Sequence, residues 1–400
     1  MKDKKQVILS TDVGFNGIKC IVGTPEEQLF NFHEHADIYD ITDFPTLSQS
    51  EDIDTVFVKK LAAGVNNTYA TGKTARSYLQ TRDAKEVIKT DDFYKAGDTE
   101  DEDYNRFTTD SFKKLHLAVI YKAIKILSRL NGFKDILDNP EAYELIIMIE
   151  LPHSISKENR YSSIISGNIK TEDKTLTYKM AGEEDYSQMP KIVHEAKVSF
   201  TSQVIAAVIC EMETNDEFET PVFVLDCGGK TIGIAGIESN LTVAKGATSN
   251  RDYAIGNINK AAVSQIKKAT SGELDIDINQ IEEIARSVNG REYLYWSDKK
   301  DEQAFIDVTE IYNDKTKETA LALAEYCLSE YKQDVAKSRT ILVAGGTGVI
   351  YYDTLKEAFS KKLKKVNVVL AKGDVAGQTN GSIFAIAAGG FKLAAMKCSM

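Results

Sequence analysis

Two stretches of this chain, about 210 residues apart, spell the same small unit: VILSTDVGFNGIKCIVG near the N-terminus and VFVLDCGGKTIGIAGIES near the middle. Each is an apolar strand, then Asp-x-Gly, then a short turn and a second apolar strand. The second strands have turns of their own, Thr24-Pro25-Glu26-Glu27 and Glu238-Ser239-Asn240. A strand–turn–strand unit recurring at this distance predicts two related halves. One glycine turn would say little; the Asp-x-Gly at the same place in both hairpins, Asp12 to Gly14 and Asp226 to Gly228, says more.

The rest of the sequence fits an α/β class. Apolar runs rich in β-branched residues, Gln6–Thr11, Tyr143–Leu151, Val222–Leu225, Thr340–Ala344 and Val366–Ala371, suit strands covered on both faces. Between them lie helical patterns. Phe112 to Leu130 sets Leu115, Ala118, Val119, Ala123, Ile126, Leu127 and Leu130 on one face, with Asn131-Gly132 as the stop. Further helices are expected over Ser199–Met212, Thr316–Leu328 and Ile350–Lys362. The acid-dense Thr90–Asp103 and the polar Ser166–Ser187 read as exposed loops, the first without the spaced acids of a calcium loop.

A length of 400 residues allows two or three domains at about 100–200 residues each. With 60 acidic against 49 basic side chains the net charge is -11, which argues against broad docking on DNA or anionic lipid. The five cysteines, Cys20, Cys210, Cys227, Cys327 and Cys398, are scattered without CxxC spacing, so they read as core residues in a reducing compartment. Only Val7, Ile8 and Leu9 follow the basic N-terminus, short of the about 7–15 apolar residues of a signal peptide. The expectation is a cytoplasmic protein with no membrane partner.

Both hairpin turns are built for anions. Gly14 and Gly17 in the first, Gly228 and Gly229 in the second, let backbone N–H groups approach a phosphate without a Cβ in the way. Phe15 and Asn16 complete the first turn, and Lys230 and Thr231 the second. Lys19, five residues past Gly14, is placed to reach back as a point charge to the phosphates. Asp12 and Asp226, at the strand ends, suit water-mediated coordination of Mg²⁺. A third glycine turn, Gly345-Gly346-Thr347-Gly348, follows the strand Thr340–Ala344 and would let a flat ring or ribose lie against backbone. Taken singly, each turn is also compatible with a plain hairpin or strand-to-helix connection.

Other phosphate motifs fail. Gly229-Lys230-Thr231 resembles the end of a Walker A loop, but the required first glycine falls at Val224, inside a strand. No G-x-G-x-x-G follows the first strand, so a Rossmann dinucleotide site is not expected. The histidines suggest no catalytic grouping: His33-Glu34-His35 reads as a solvated turn, and His116 and His153 as structural.

Phosphate turn, phosphate turn, adenosine turn is an order that resembles the actin, heat-shock-chaperone and sugar-kinase ATPase superfamily. DVGFNGIK (Asp12–Lys19), LDCGGKT (Leu225–Thr231) and VAGGTG (Val343–Gly348) resemble its three nucleotide motifs across nearly the whole chain. Length and the PKIVHEAKVSFTSQVIAAV segment are most similar to ParM-type plasmid-segregating bacterial actins. The resemblance implies an actin-like α/β fold of two ribonuclease-H-like domains, residues 1–195 with the C-terminal helix 376–400, and residues 196–375. It implies ATP and ADP as ligands, Mg²⁺ as cofactor, and a catalytic set of Glu195, at the head of a connecting helix and orienting the attacking water, with Asp12 and Asp226, which hold Mg²⁺ through water. The pattern departs in two places, Gly233 where the family often has a second Asp and Lys230 where it has a small residue.

The function implied is an ATPase polymerising with itself into dynamic filaments for plasmid partition, touching DNA only through a DNA-binding adaptor. A sugar-kinase-like phosphotransferase of the same superfamily is the alternative. A chaperone-like ATPase would need a peptide-binding domain, for which the chain leaves no room.

Overall fold

The computed structural model describes residues 4–14, 17–35, 38–40, 55–60, 66–71, 75, 110–153, 184–185, 192, 196–212, 215, 218–244, 247–274, 276, 281, 292–373 and 381–399. Its residues fall into two compact units, Met1–Thr214 with Lys372–Met400, and Asn215–Ala371. The expected division after residue 195 therefore moves to 214, and the return from 375 to 371. The reason is that the last strand and helix before the crossing pack within the first unit.

In chain order unit 1 carries β1 (Lys5–Gly14), β2 (Gly17–Gly23), β3 (Gln28–His35), β4 (Ile38–Asp40), β5 (Thr55–Lys60), β6 (Asn66–Thr71), α1 (Asp110–Leu127), β7 (Tyr143–Leu151), β8 (Glu184–Asp185), β9 (Lys197–Ser202) and α2 (Gln203–Met212). Unit 2 carries β10 (Val222–Cys227), β11 (Ile232–Ile237), β12 (Thr248–Asn250), α3 (Ile255–Ala269), β13 (Glu292–Ser297), β14 (Glu302–Asp307), α4 (Thr309–Glu330), α5 (Lys332–Lys337), β15 (Thr340–Ala344), α6 (Gly348–Lys362) and β16 (Asn367–Leu370). The chain then returns to unit 1 as α7 (Ala385–Cys398).

Each unit holds a five-stranded sheet, ordered β3-β2-β1-β7-β9 in one and β12-β11-β10-β15-β16 in the other. In both, the first three strands in sequence are antiparallel and the outer two join in parallel. The same order and sense twice over is the duplication expected from the repeated hairpin. A smaller sheet in unit 1 orders β4-β6-β5-β8.

The period of two in β1 decides what each face does. Val7, Leu9 and Val13 join a buried core with Leu115, Val119 and Ala123 of α1. On the other face Ser10 bonds to the Ala387 carbonyl of α7, and Asp12 accepts a bond from Gln203 of α2. One face of the strand is therefore packing, and the other leads to the site. In unit 2, Phe223, Leu225 and Cys227 of β10 play the packing part against Ile255 of α3, Tyr312 of α4 and Tyr351 of α6.

Two local expectations change. The helix expected over Ser199–Met212 begins at Gln203, because Lys197–Ser202 pairs in parallel with β7 as a sheet strand. His33-Glu34-His35 is not a solvated turn but the end of β3; Glu34 is buried and its Oε2 accepts from Lys122 Nζ at 2.7 Å. Gly381–Cys398 is long and apolar enough to cross a membrane, but 56% of it is buried within the protein, which is the position of a core helix. The loop read over Thr90–Asp103 lies outside the described residues, as does Ser166–Ser187 apart from β8. Four of the cysteines are buried thiols and Cys398 is half-buried.

Candidate nucleotide-phosphate site

In unit 1 the site is the β1–β2 turn. Strand register sets Asp12 opposite Lys19 and Gly14 opposite Gly17. Lys19 Nζ lies 3.2 Å from Asp12 Oδ2, so a cation and a carboxylate converge beneath the turn. Gly17 has a φ of 138° and a Cβ there would collide with the Glu34 carbonyl of β3. Only glycine fits, so β3 can press the turn from behind. Phe15 and Asn16 lie outside the described residues.

Gln203, a residue that motif reading passed over, completes this half. Its Nε2 donates to Asp12 Oδ1 at 2.7 Å, and the side chain is buried at the head of α2. An ionised Asp only accepts, so the amide nitrogen must face it, which turns the amide oxygen, an acceptor, away. The sequence carries no local signal for it, because the strand that precedes α2 reads as part of the helix. Glu195, expected at the head of the connecting helix, lies outside the described residues.

Glu150, the parallel-strand neighbour of Asp12 on β7, is fully buried. Ser10 Oγ lies 2.7 Å from Glu150 Oε1 and 2.7 Å from the Ala387 carbonyl. A hydroxyl has one proton and a carbonyl only accepts, so satisfying both contacts takes a proton from the carboxyl itself. Burial, and with it the Asp12 charge, push the Glu150 carboxyl well above the usual carboxylate range. A neutral Glu150 spares Asp12 a second charge.

His116 of α1 supports β1 from its packing face. Its Nε2 is 3.2 Å from Thr11 Oγ1, which donates to the Met148 carbonyl, and burial lowers its pKa from 6.5 to about 4. The unfolded imidazole binds a proton that the folded one refuses between those values. This stability is intact above about pH 6.5 and falls, by up to about 3 kcal/mol, as pH drops towards 4. Glu150 has the opposite sign: its folded carboxyl keeps a proton that the unfolded one releases, so stability falls as pH rises above 4.5. Urea unfolding should show Glu150→Gln more stable than the parent at pH 7, with the difference vanishing below about pH 4. His116→Asn should flatten the loss of stability between pH 6.5 and 5.

In unit 2 the structure brings two of the sequence motifs together. The β10–β11 turn closes with Gly228 N–H donating to the Thr231 carbonyl at 2.9 Å, and the Gly229 carbonyl accepts from Gly256 at 2.8 Å. Parallel pairing sets Asp226 beside Ala344, so the turn Gly345-Gly346-Thr347 starts at the same sheet end. Thr347 locks onto the hairpin, its N–H on the Cys227 carbonyl at 3.1 Å and its Oγ1 on the Gly228 carbonyl at 3.1 Å. Gly345 has a φ of 83°, and a Cβ there would stand 2.8 Å from Asp226 Oδ1. Lys230 belongs to the same turn.

Overlaying the two hairpins matches Asp226 with Asp12, Gly233 with Lys19 and Ala344 with Glu150. Unit 2 thus keeps the acid and the first glycine, Gly228 for Gly14, but has Thr231 where unit 1 has Gly17, and lacks the cation and the buried second acid at the matching positions. Among the described residues no cluster of three or more His, Cys, Asp or Glu could hold a metal directly.

No protein-family model matches the chain, and no curated protein matches it. Solved structures do. A 15-stranded ParM filament from Clostridium botulinum matches with a TM-score of 0.62 at 14% identity, covering 98% of this chain and 99% of that one. The archaeal actin homolog Ta0583 matches with a TM-score of 0.63 at 13% identity over 98% and 99% of the two chains. Bacillus thuringiensis ParM with ATP matches with a TM-score of 0.59 at 12% identity over 99% and 100%. The chain has the actin-like fold, two α/β units built on like five-stranded sheets. Among proteins of that fold, its neighbours include ParM structures.

Proposed function

We propose that the chain is an ATPase that binds MgATP at both hairpin turns and polymerises into dynamic filaments, in the cytoplasm, for plasmid segregation. The observation that carries this reading is the Asp-Gly hairpin built twice, in the same register, on the two sheets of an actin-like fold. Neighbours described with ATP and with ADP support a nucleotide ligand, and a neighbour described as a filament supports self-assembly. Gly14, Phe15, Asn16, Gly17, Gly228, Gly229 and Thr231 present backbone N–H groups to the phosphates, with Lys19 and Lys230 as cations. Gly345, Gly346 and Thr347 lie against the nucleoside. Asp12 and Asp226 hold the waters of Mg²⁺, which would neutralise phosphate charge. Glu195 orients the attacking water, and Gln203, its amide fixed by Asp12, accepts a hydrogen bond from the same water.

Under this reading the net charge of -11 keeps DNA contact indirect, through a DNA-binding adaptor. Sedimentation tests it: the protein should pellet with Mg²⁺ and ATP at micromolar concentration and much less with ADP. If nothing pellets well above that range and turnover requires an added sugar or small acid, the phosphotransferase alternative replaces it.

A further inference from the structure

β3 lies at one end of the five-stranded sheet of unit 1, with β2 as its neighbour. Its register against β2 shifts between Val22 and Gly23, so pairing alone does not fix where its far end falls. At that end Ile18 faces Glu34, and a Cβ on Gly17 would run into the Glu34 carbonyl and stand 2.7 Å from His33 Nε2. The backbone of β3 therefore backs the β1–β2 turn.

Side chains of β3 alternate between the faces of the sheet. Phe30, Phe32 and Glu34 pair with Val22, Cys20 and Ile18 on the face that α1 covers. Phe30 and Phe32 join the apolar packing there, and Glu34 is an acid at the end of the same row, 1% exposed. Lys122 of α1 meets it, with Nζ 2.7 Å from Glu34 Oε2 and 5.5 Å from the centre of the Phe32 ring. The lysine side chain is 14% exposed, so water screens the pair little. Six residues earlier, about 9 Å back along the same helix, His116 lies 3.2 Å from Thr11 of β1. One helix thus holds the strands on both sides of β2, at Thr11 next to Asp12 and at Glu34 against Gly17.

A buried ion pair is a poor source of stability. Desolvating both charges offsets most of their attraction, and two apolar residues of similar volume often do as well or better. What the pair supplies is direction, since a slip of one residue would turn Glu34 to the opposite face of the sheet. We infer that Lys122 and Glu34 are a positioning pair for the phosphate turn, fixing the β3 backbone behind Gly17. Both side chains lie on the face away from Asp12 and Lys19, so neither touches the ligand. The inference rests on the nucleotide reading and names what holds the first phosphate turn in shape.

Two full-length variants test it, Lys122→Met and the apolar pair Glu34→Leu with Lys122→Met. The readouts are ATP affinity by titration and hydrogen exchange of the Gly17–Lys19 amides in nucleotide-free protein. Lys122→Met takes the cation from a buried carboxylate; exchange should rise and affinity fall, each at least tenfold. The apolar pair should unfold at the parent's urea midpoint yet keep the faster exchange and the weaker binding. A merely stabilising role does not produce that combination. An apolar pair that matches the parent in exchange and affinity overturns the inference, as does Lys122→Met with either readout unchanged. Should Lys122→Met fail to fold, the apolar pair decides alone. If the parent itself binds no ATP, the nucleotide reading falls, and the exchange measurement still decides whether the pair sets the turn.

Discussion

Gly389→Val should destabilise unit 1 by at least about 3 kcal/mol and leave little folded protein at 37 °C. Gly389 sits where α7 crosses α2, and a Cβ on it would lie inside the Ala206 carbonyl of the facing backbone. The neighbour is main chain within a helix, not the free end of a side chain, so relief means moving α2 or α7 as a whole. Gly390, the next residue, faces the Glu150 carboxyl and Ser10 in the same tight way. Urea unfolding followed by circular dichroism gives the measurement. Ala395→Val, half-exposed on the same helix, should change stability by under about 0.5 kcal/mol. Equal losses for the two variants would mean that the close approach of the helices is not what the glycine serves.

That crossing also explains how much could be read from residues alone. The two hairpins were legible because each is local: apolar strand, Asp-x-Gly and turn lie within 20 residues. Buried strands such as Tyr143–Leu151 and Thr340–Ala344 appear at the bounds their apolar runs suggested. Less legible was whatever depends on a distant partner. Lys197–Ser202 looks helical together with the residues after it, and becomes a strand because β7 offers it a parallel edge. Glu34 looks solvated in a His-Glu-His run until Lys122, 88 residues away, supplies its charge. Gln203 has no local motif at all. Its meaning comes from being 2.7 Å from Asp12 across 191 residues of chain.

The second large effect follows from that contact. Gln203→Ala should lower ATP turnover about 100-fold while ATP affinity changes less than about threefold, because the amide orients a water and does not grip the nucleotide. Asp12→Ala should cost both, since its carboxylate anchors Gln203 Nε2 at 2.7 Å and Lys19 Nζ at 3.2 Å. Nucleotide binding by titration and phosphate release in single turnover separate the two losses. Gln203→Glu discriminates further. It sets a second carboxylate beside Asp12 with no N–H to bridge them, and the like charges raise the pKa of one of them. Turnover by this variant should therefore fall at neutral pH and recover partly as pH drops and the shared proton returns. Turnover unchanged in Gln203→Ala would take the water-orienting role away from this helix head, and with it the reason for Asp12 to hold an amide there at all.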